Sequence, residues 1–514
     1  MKRYIFFIMF FLSIFTITGC GVKKSEFQKF IDRIPDIISK DYVLPETFKH
    51  EKIIWKLDNQ ELEDNRLEFI YSDEVLELSL VAIVKNDVAM KTVKIKKTNF
   101  VTELNINTTN NLEITSKEDY LRASLKVSDA GFFNTEIESA RIRGRGNSTW
   151  GYEKKPYRIK FDTDTSILGM KHATDYVLLA EHNDKSLMRN YIAHYFSRFL
   201  NLPHQLETRY VRLVLNGDYK GLYLLTEQVA VSENRLNIDR SDDIDGGFLL
   251  EFEREFDRAN AEGKENVDWF RMKNPNPNDR NNNGNTELYQ EVYYVVKSPK
   301  IKSFDKNIQE SKINYYKEYI NKFEQSVSSD EYDKYINVDS FIDYFVLTEL
   351  MKQVDIGYSS VYIVKDKNEK MQMGPIWDFD ISSGNGNYYA YGPKGFWSDY
   401  NPWFGILIKN NSFKEKYISR FNEIIDLYFS KVLSEIDRVL DYITIDAKRN
   451  FKRWDMFMND GFNPNPIEML ELKTHDKQVE YLKSYLTERK NWILKTLNNE
   501  GYIGYLGEED EGWR

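Results

Sequence analysis

Met373-Gly374-Pro375-Ile376-Trp377-Asp378-Phe379-Asp380, continued by Ser383-Gly384-Asn385-Gly386, is the stretch that decides how the chain is read. An apolar run expected to be a strand delivers two carboxylates into a glycine-rich turn. Carboxylates beside Trp377 and Phe379 are costly to bury without a cation or a hydrogen-bond donor. Hard cations take oxygen ligands, commonly one or two carboxylates completed by oxygens of a bound phosphate. Upstream, residues 341–352 read as a helix, and Asp355 lies just past its end. A strand at 361–364 and a turn at Lys367-Asn368 separate Asp355 from Asp378. That layout suits an acceptor-positioning loop followed by a metal-binding loop. A helix-end aspartate is the competing reading of Asp355.

Working back from this block, Arg143-Gly144-Arg145-Gly146-Asn147-Ser148-Thr149-Trp150 reads as a glycine-rich turn between strands at 141–145 and 157–161. Such a turn lets backbone N–H groups approach an anion. Arg143, Arg145, Lys154, Lys155, Arg158 and Lys160 make this the most basic stretch of an acidic chain. A solvated hairpin with charges on one face is the alternative. Residues 187–200 carry apolar side chains at helical spacing, with Asp184 or Ser186 placed to cap the helix. There Arg189 faces either a phosphate or a carboxylate partner. Strand patterns flank Asn216-Gly217, the preferred pair for a tight hairpin. A further strand is expected at 246–253, and helices over 413–439 and 477–497.

The chain has 514 residues, enough for two or three domains. Hydrophobic residues make up 41%, with 34 Tyr and 32 Phe, so a packed core rather than disorder is expected. A net charge of -10 without a long basic run argues against nucleic-acid binding. Lys2 and Arg3, an apolar run over residues 4–15, and Ile17-Thr18-Gly19-Cys20 read as a secretory signal. The small residues before Cys20 resemble a bacterial lipobox, which implies lipidation of Cys20 and an extracytoplasmic chain anchored to the membrane. Cys20 is the only cysteine, so no disulfide forms within the chain. The expected organisation is a signal over 1–19, a spacer over 20–47, a small immunoglobulin-like β-sandwich over 48–107, a large domain over 108–498 and a mobile tail over 499–514. Strand-rich in its first half and helix-rich in its second, the large domain is expected to be α+β.

Taken together and in this order, the glycine-rich block, the helix at 187–200, the hairpin, the 246–253 strand, Lys297-Ser298-Pro299 and the Asp355-to-Asp380 block resemble the spore coat protein H (CotH) family of atypical protein kinases. The resemblance covers about residues 114–497. It implies a two-lobed kinase-like fold that transfers phosphate from ATP, with Mg2+ or Mn2+, to Ser, Thr or Tyr hydroxyls of surface or spore-coat proteins. It places Asp355 at the acceptor hydroxyl. Asp378 and Asp380 fall at the metal, with Ser360 where the usual metal-binding asparagine stands. Arg145, Asn147 and either Lys155 or Lys160 fall at the nucleotide phosphates, and Glu227 in the segment that meets adenine.

The chain departs from ordinary kinases in several ways. Gln353-Val354 replaces the residues that usually precede the catalytic aspartate, Asp380 replaces a glycine, and the 187–200 helix has no glutamate to pair with a strand lysine. A catalytically silent, surface-anchored binding module is therefore the rival expectation. Separately, Asp279, Asn281, Asn283, Gly284 and Glu287 resemble a Ca2+ loop, although Gln290 stands where its last ligand is usually glutamate. A polar insertion is the competing reading there.

Overall fold

Period-two alternation in the first half and 3.6-residue periodicity in the second are realised in a computed structural model. It describes residues 24–38, 42–58, 60–62, 65–67, 75–96, 101–128, 134–253, 268–276, 291–386, 392–457 and 465–504. The signal, Cys20, the Ca2+-like loop and the last ten residues of the expected tail lie outside them. Among the described residues no helix is long and apolar enough to cross a membrane. The chain divides into two compact units, Met1–Lys97 and Thr98–Arg514.

Among its described residues the first unit contains a short helix, α1 (Glu26–Ile31), and nine strands. These are β1 (Ile37–Ile38), β2 (Tyr42–Val43), β3 (Thr47–Phe48), β4 (Glu51–Lys52), β5 (Ile54–Leu57), β6 (Gln60–Glu61), β7 (Arg66–Leu67), β8 (Val75–Val84) and β9 (Asp87–Lys96). Five of them form one sheet in the order β1-β9-β8-β5-β6, and β2-β7 and β3-β4 are two-stranded ribbons. Phe27 and Ile31 of α1 share a core with Trp55, Leu80 and Val93. Residues read as a spacer thus supply α1, β1 and β2 to this unit.

The second unit opens with seven strands: β10 (Thr102–Thr108), β11 (Leu121–Ser128), β12 (Asn134–Gly144), β13 (Tyr157–Thr165), β14 (Ala173–Leu179), β15 (Thr208–Leu215) and β16 (Asp218–Glu227). They close into a barrel in the order β10-β11-β12-β13-β14-β16-β15, antiparallel except for the β10-β15 pairing. The expected boundary after residue 107 therefore falls at the end of a barrel strand, not between units. Every second residue points inward: Ile142, Tyr157, Ile159, Phe161, Tyr176, Leu178, Tyr223 and Leu225 fill the interior. Asn216 and Gly217 both take positive φ, 52° and 79°, the turn that the sequence pair specifies.

Next to the barrel lies an antiparallel sheet ordered β18-β19-β17-β20-β21. Its strands are β17 (Phe248–Phe252), β18 (Trp269–Lys273), β19 (Glu291–Ser298), β20 (Val361–Lys365) and β21 (Gln372–Met373). Between β14 and β15 runs α2 (Arg189–Ser197). The later helices are α3 (Lys306–Ser326), α4 (Val338–Met351), α5 (Pro402–Leu407), α6 (Asn411–Arg453), α7 (Ile467–Leu470) and α8 (His475–Asn499). Helix α6 packs on α8, α4, α2 and β16, and its apolar stripe joins one large core with Phe341, Phe345 and Leu482. The mixed α+β class follows directly from this element order.

Candidate functional site

Helix α4 ends at Met351 because Lys352 takes a left-handed conformation, φ 47°, and turns its N–H back onto the carbonyls of Glu349 and Thr348. The chain then winds through a turn in which Tyr358 and Ser359 donate to the Asp355 carbonyl at 2.7 and 3.1 Å. Gln353, almost fully buried, accepts from the Asp355 N–H at 2.9 Å and donates from its amide nitrogen to the Asp378 carbonyl. One carboxamide therefore ties the Asp355 loop to the Asp378 turn. From the other side, Trp397 Nε1 donates to the Val354 carbonyl at 3.1 Å and Asn401 Nδ2 to that of Ile356 at 3.0 Å.

The decisive motif is strand only as far as Met373. Beyond it the chain is irregular, with Ile376, Trp377 and Phe379 buried. Asp378 has φ +64°, which a turn demands and few non-glycine residues adopt. Helix α2 holds that turn. Asn190 Oδ1 accepts from the Phe379 N–H at 2.7 Å. Fully buried Arg189 donates to the carbonyls of Ser382 and Ser383 at 2.9 and 3.1 Å and pairs with Asp184. Asp184 also accepts from the N–H groups of Ser186, Met188 and Arg189, at 2.7–2.9 Å. Of the two partners open to Arg189, the structure selects a carboxylate and two carbonyls.

These loops border a cavity of about 940 Å³. Asp355, Ser360, Asp378 and Asp380 line it from one side, and Arg145, Asn147 and Arg158 from the barrel. Ser360 donates to Asp378 Oδ2 at 3.3 Å, and Asn183 Nδ2 to Asp380 Oδ2 at 3.3 Å. Arg145 stacks over Trp377 at 5.4 Å. In the glycine-rich loop a side chain on Gly144 would meet the Trp150 ring at 2.4 Å, and Gly146 has φ +91°. The loop thus approaches the tryptophan as only glycine permits.

The remaining expected contacts fall elsewhere. Lys155 gives its ammonium to the carbonyls of Trp150 and Tyr152, at 2.8 and 3.0 Å, and lies over the Trp150 ring. Lys160 is not among the cavity residues. Arg158, two residues earlier on the same face of β13, is; its Nε and Nη2 both donate to Asp175 Oδ1, at 3.0 and 2.8 Å. Glu227 is buried against His204 Nε2 at 3.0 Å, accepts from the Glu207 N–H at 3.0 Å and meets Arg235 at 3.5 Å. Gln228, next along, lines the cavity instead. Glu181, Asn183 and Asn190 also border it.

Negative charge is crowded here. Burial raises the Asp378 carboxyl above its ordinary value, opposed by Arg145 and the Ser360 hydroxyl. Burial, then Asp378 and Asp184, push Asp380 up to about 8 despite the Asn183 bond. Glu181 is raised well above its usual range by burial and by Asp184 and Asp380. Opposite it, burial lowers the Lys154 ammonium to about 7 while Glu181 pulls the other way.

Among the described residues no group of three or more His, Cys, Asp and Glu is arranged to hold a metal. Two crowded, buried aspartates, beside the partnerless buried amide oxygen of Asn183, nevertheless fit a hard cation completed by phosphate oxygens. A family model described as CotH kinase protein matches residues 142–493. The chain belongs to the CotH kinase family. No curated protein matches it. The CotH match spans every cavity-lining motif described above, from the glycine-rich loop to the Asp378 turn.

Proposed function

We propose that this CotH family member transfers phosphate from ATP to a hydroxyl of a protein acceptor, itself included. The observation that carries the reading is a single cavity lined by Asp355, Asp378 and Asp380 together with Arg145 and Arg158. Such transfer needs little covalent chemistry from the protein; positioning and charge stabilisation do most of it. A divalent cation bound at Asp378 and Asp380 would neutralise nucleotide phosphate charge. Arg145, stacked on Trp377 beside Asp378, and Arg158 bring positive charge to the same cavity. Asp355, on a loop pinned by Gln353, Trp397 and Asn401, orients the acceptor hydroxyl and takes its proton. Gln228, just past β16, lines the same cavity and would be available to the nucleotide base. The same proposal puts the chain outside the cytoplasm, tethered through lipid on Cys20.

The test is intact mass after incubation with ATP and Mn2+, beside Asp378→Ala. The expected result is a phosphate-sized increment in the parent alone. If the parent gains no mass and its melting temperature does not move with nucleotide and Mn2+, the reading fails and a silent binding module takes its place.

A further inference from the structure

Asn183 is 5% exposed, lines the cavity, and touches Asp380 through its amide nitrogen. Its Oδ1 is buried and has no hydrogen-bond partner among the described residues. A buried acceptor left without a donor is costly, so such groups in native folds call for an explanation. The backbone gives this side chain no freedom to leave. The Asn183 carbonyl is fixed by donations from Asn385 Nδ2 at 3.0 Å and Asn465 Nδ2 at 2.7 Å. Meanwhile Ser360, where the resemblance calls for a metal-binding amide, spends its hydroxyl on Asp378.

We propose that Asn183 supplies the amide oxygen that Ser360 lacks, as a ligand of a divalent cation held beside Asp380. This rests on the phosphoryl-transfer reading above. Rotation of the carboxamide about its Cβ–Cγ bond exchanges its oxygen and nitrogen. Without a cation the nitrogen faces Asp380, as a donor to a carboxylate should. With a cation the oxygen takes that place, and the unpartnered acceptor is satisfied. The choice of an amide also follows from charge. Asp184, Asp378 and Asp380 already crowd this corner, and a further carboxylate would add repulsion. A neutral oxygen ligand adds coordination without adding charge.

The experiment is Mn2+ titration of the full chain with a non-hydrolysable ATP analogue, read by electron paramagnetic resonance and by melting temperature. Asn183→Ala, Asn183→Asp and Ser360→Ala are compared with the parent. Asn183→Ala is expected to weaken Mn2+ binding about 10–100-fold. Asn183→Asp, of the same shape, is expected to melt lower without metal and to show a larger Mn2+-induced rise than the parent. Ser360→Ala is expected to lose less affinity than Asn183→Ala. Parent-like Mn2+ affinity in a folded Asn183→Ala overturns the assignment while the phosphoryl-transfer reading stands. If Asn183→Ala does not fold, an Mn2+-induced rise in Asn183→Asp no larger than the parent's overturns it instead. Absence of Mn2+ and nucleotide binding in the parent overturns both.

Discussion

Replacing Arg189 by Met tests whether the site is held from beneath. Arg189 is fully buried, and its guanidinium donates to the Asp184 carboxylate, the Ser382 and Ser383 carbonyls, the Ser186 hydroxyl and, more weakly, the Met469 sulfur. Met fills similar space but donates nothing. Two buried carbonyls lose these donors, and Asp184 keeps only its N–H and hydroxyl partners around Ser186 to Arg189. Removing one partner of a buried ion pair costs about 3–5 kcal/mol. The backbone donors to Asp184 soften this, so the lower half of that range is expected. Arg189→Lys keeps the charge but not the planar fork, and should lose about half as much. Urea unfolding followed by circular dichroism measures it, using the transition assigned to the larger unit by its larger m value. Hydrogen exchange supplies a local readout, because protection of the amides in residues 378–386 should fall in Arg189→Met. A loss below about 1 kcal/mol with unchanged protection would refute the idea that Arg189 holds the turn.

Asp378→Asn should raise the melting temperature of the metal-free chain, since one of two crowded carboxylates is removed, and should cut phosphate transfer by about 10³-fold or more in the mass assay. Arg158→Ala should weaken ATP binding about tenfold or more, whereas Lys155→Ala, whose ammonium serves two carbonyls, should leave it unchanged; calorimetry separates the two. Lys154 gives up its proton near pH 7 when folded and near 10.5 when unfolded. Between those values the unfolded chain binds more protons, so this residue makes stability rise with pH by up to about 1.4 kcal/mol per pH unit. Lys154→Met should flatten that slope in urea titrations from pH 7 to 10, and an unaltered slope would contradict the burial of the ammonium.

The architecture was legible wherever side-chain period and turn chemistry agreed. Strands β12 and β13 around the glycine-rich loop, the Asn216-Gly217 hairpin and helices α4, α6 and α8 all carry such local agreement. The aspartates were legible because carboxylates next to Trp377 and Phe379 demand an account. Single-residue choices were not. Arg158 and Lys160 share one face of β13, and sequence does not say which end of that face meets a cavity. Glu227 is the last residue of β16 and Gln228 the first beyond it, and sequence does not say where the strand stops. Lys155 is occupied by Trp150 and Tyr152 because residues 148–151 form a short 3-10 turn that folds back on it. Asn183 could not be found from spacing, since its neighbour Asp380 lies 197 positions away in the chain.

That long separation also says why the site needs its supports. The segment that carries Asp378 and Asp380 is neither helix nor strand, so no backbone ladder fixes it. Its rigidity comes from Asn190 and Arg189 on α2, from Gln353 after α4, and from the amide contacts of Asn183 and Asn385 with Asp380. Asn183, Arg189 and Asn190 come from the strand-rich half, whereas Asp355 is held by groups of the helix-rich half. A turn built in this way is preorganised only while both halves are packed. Binding at the cavity must therefore be thermodynamically linked to the folding of the whole second unit, because a ligand that requires the ordered turn stabilises every contact that orders it. The linkage runs in both directions: loosening Arg189, which does not itself line the cavity, should weaken binding of nucleotide and cation, and a bound cation between Asp378 and Asp380 should raise the melting temperature of the unit that carries them.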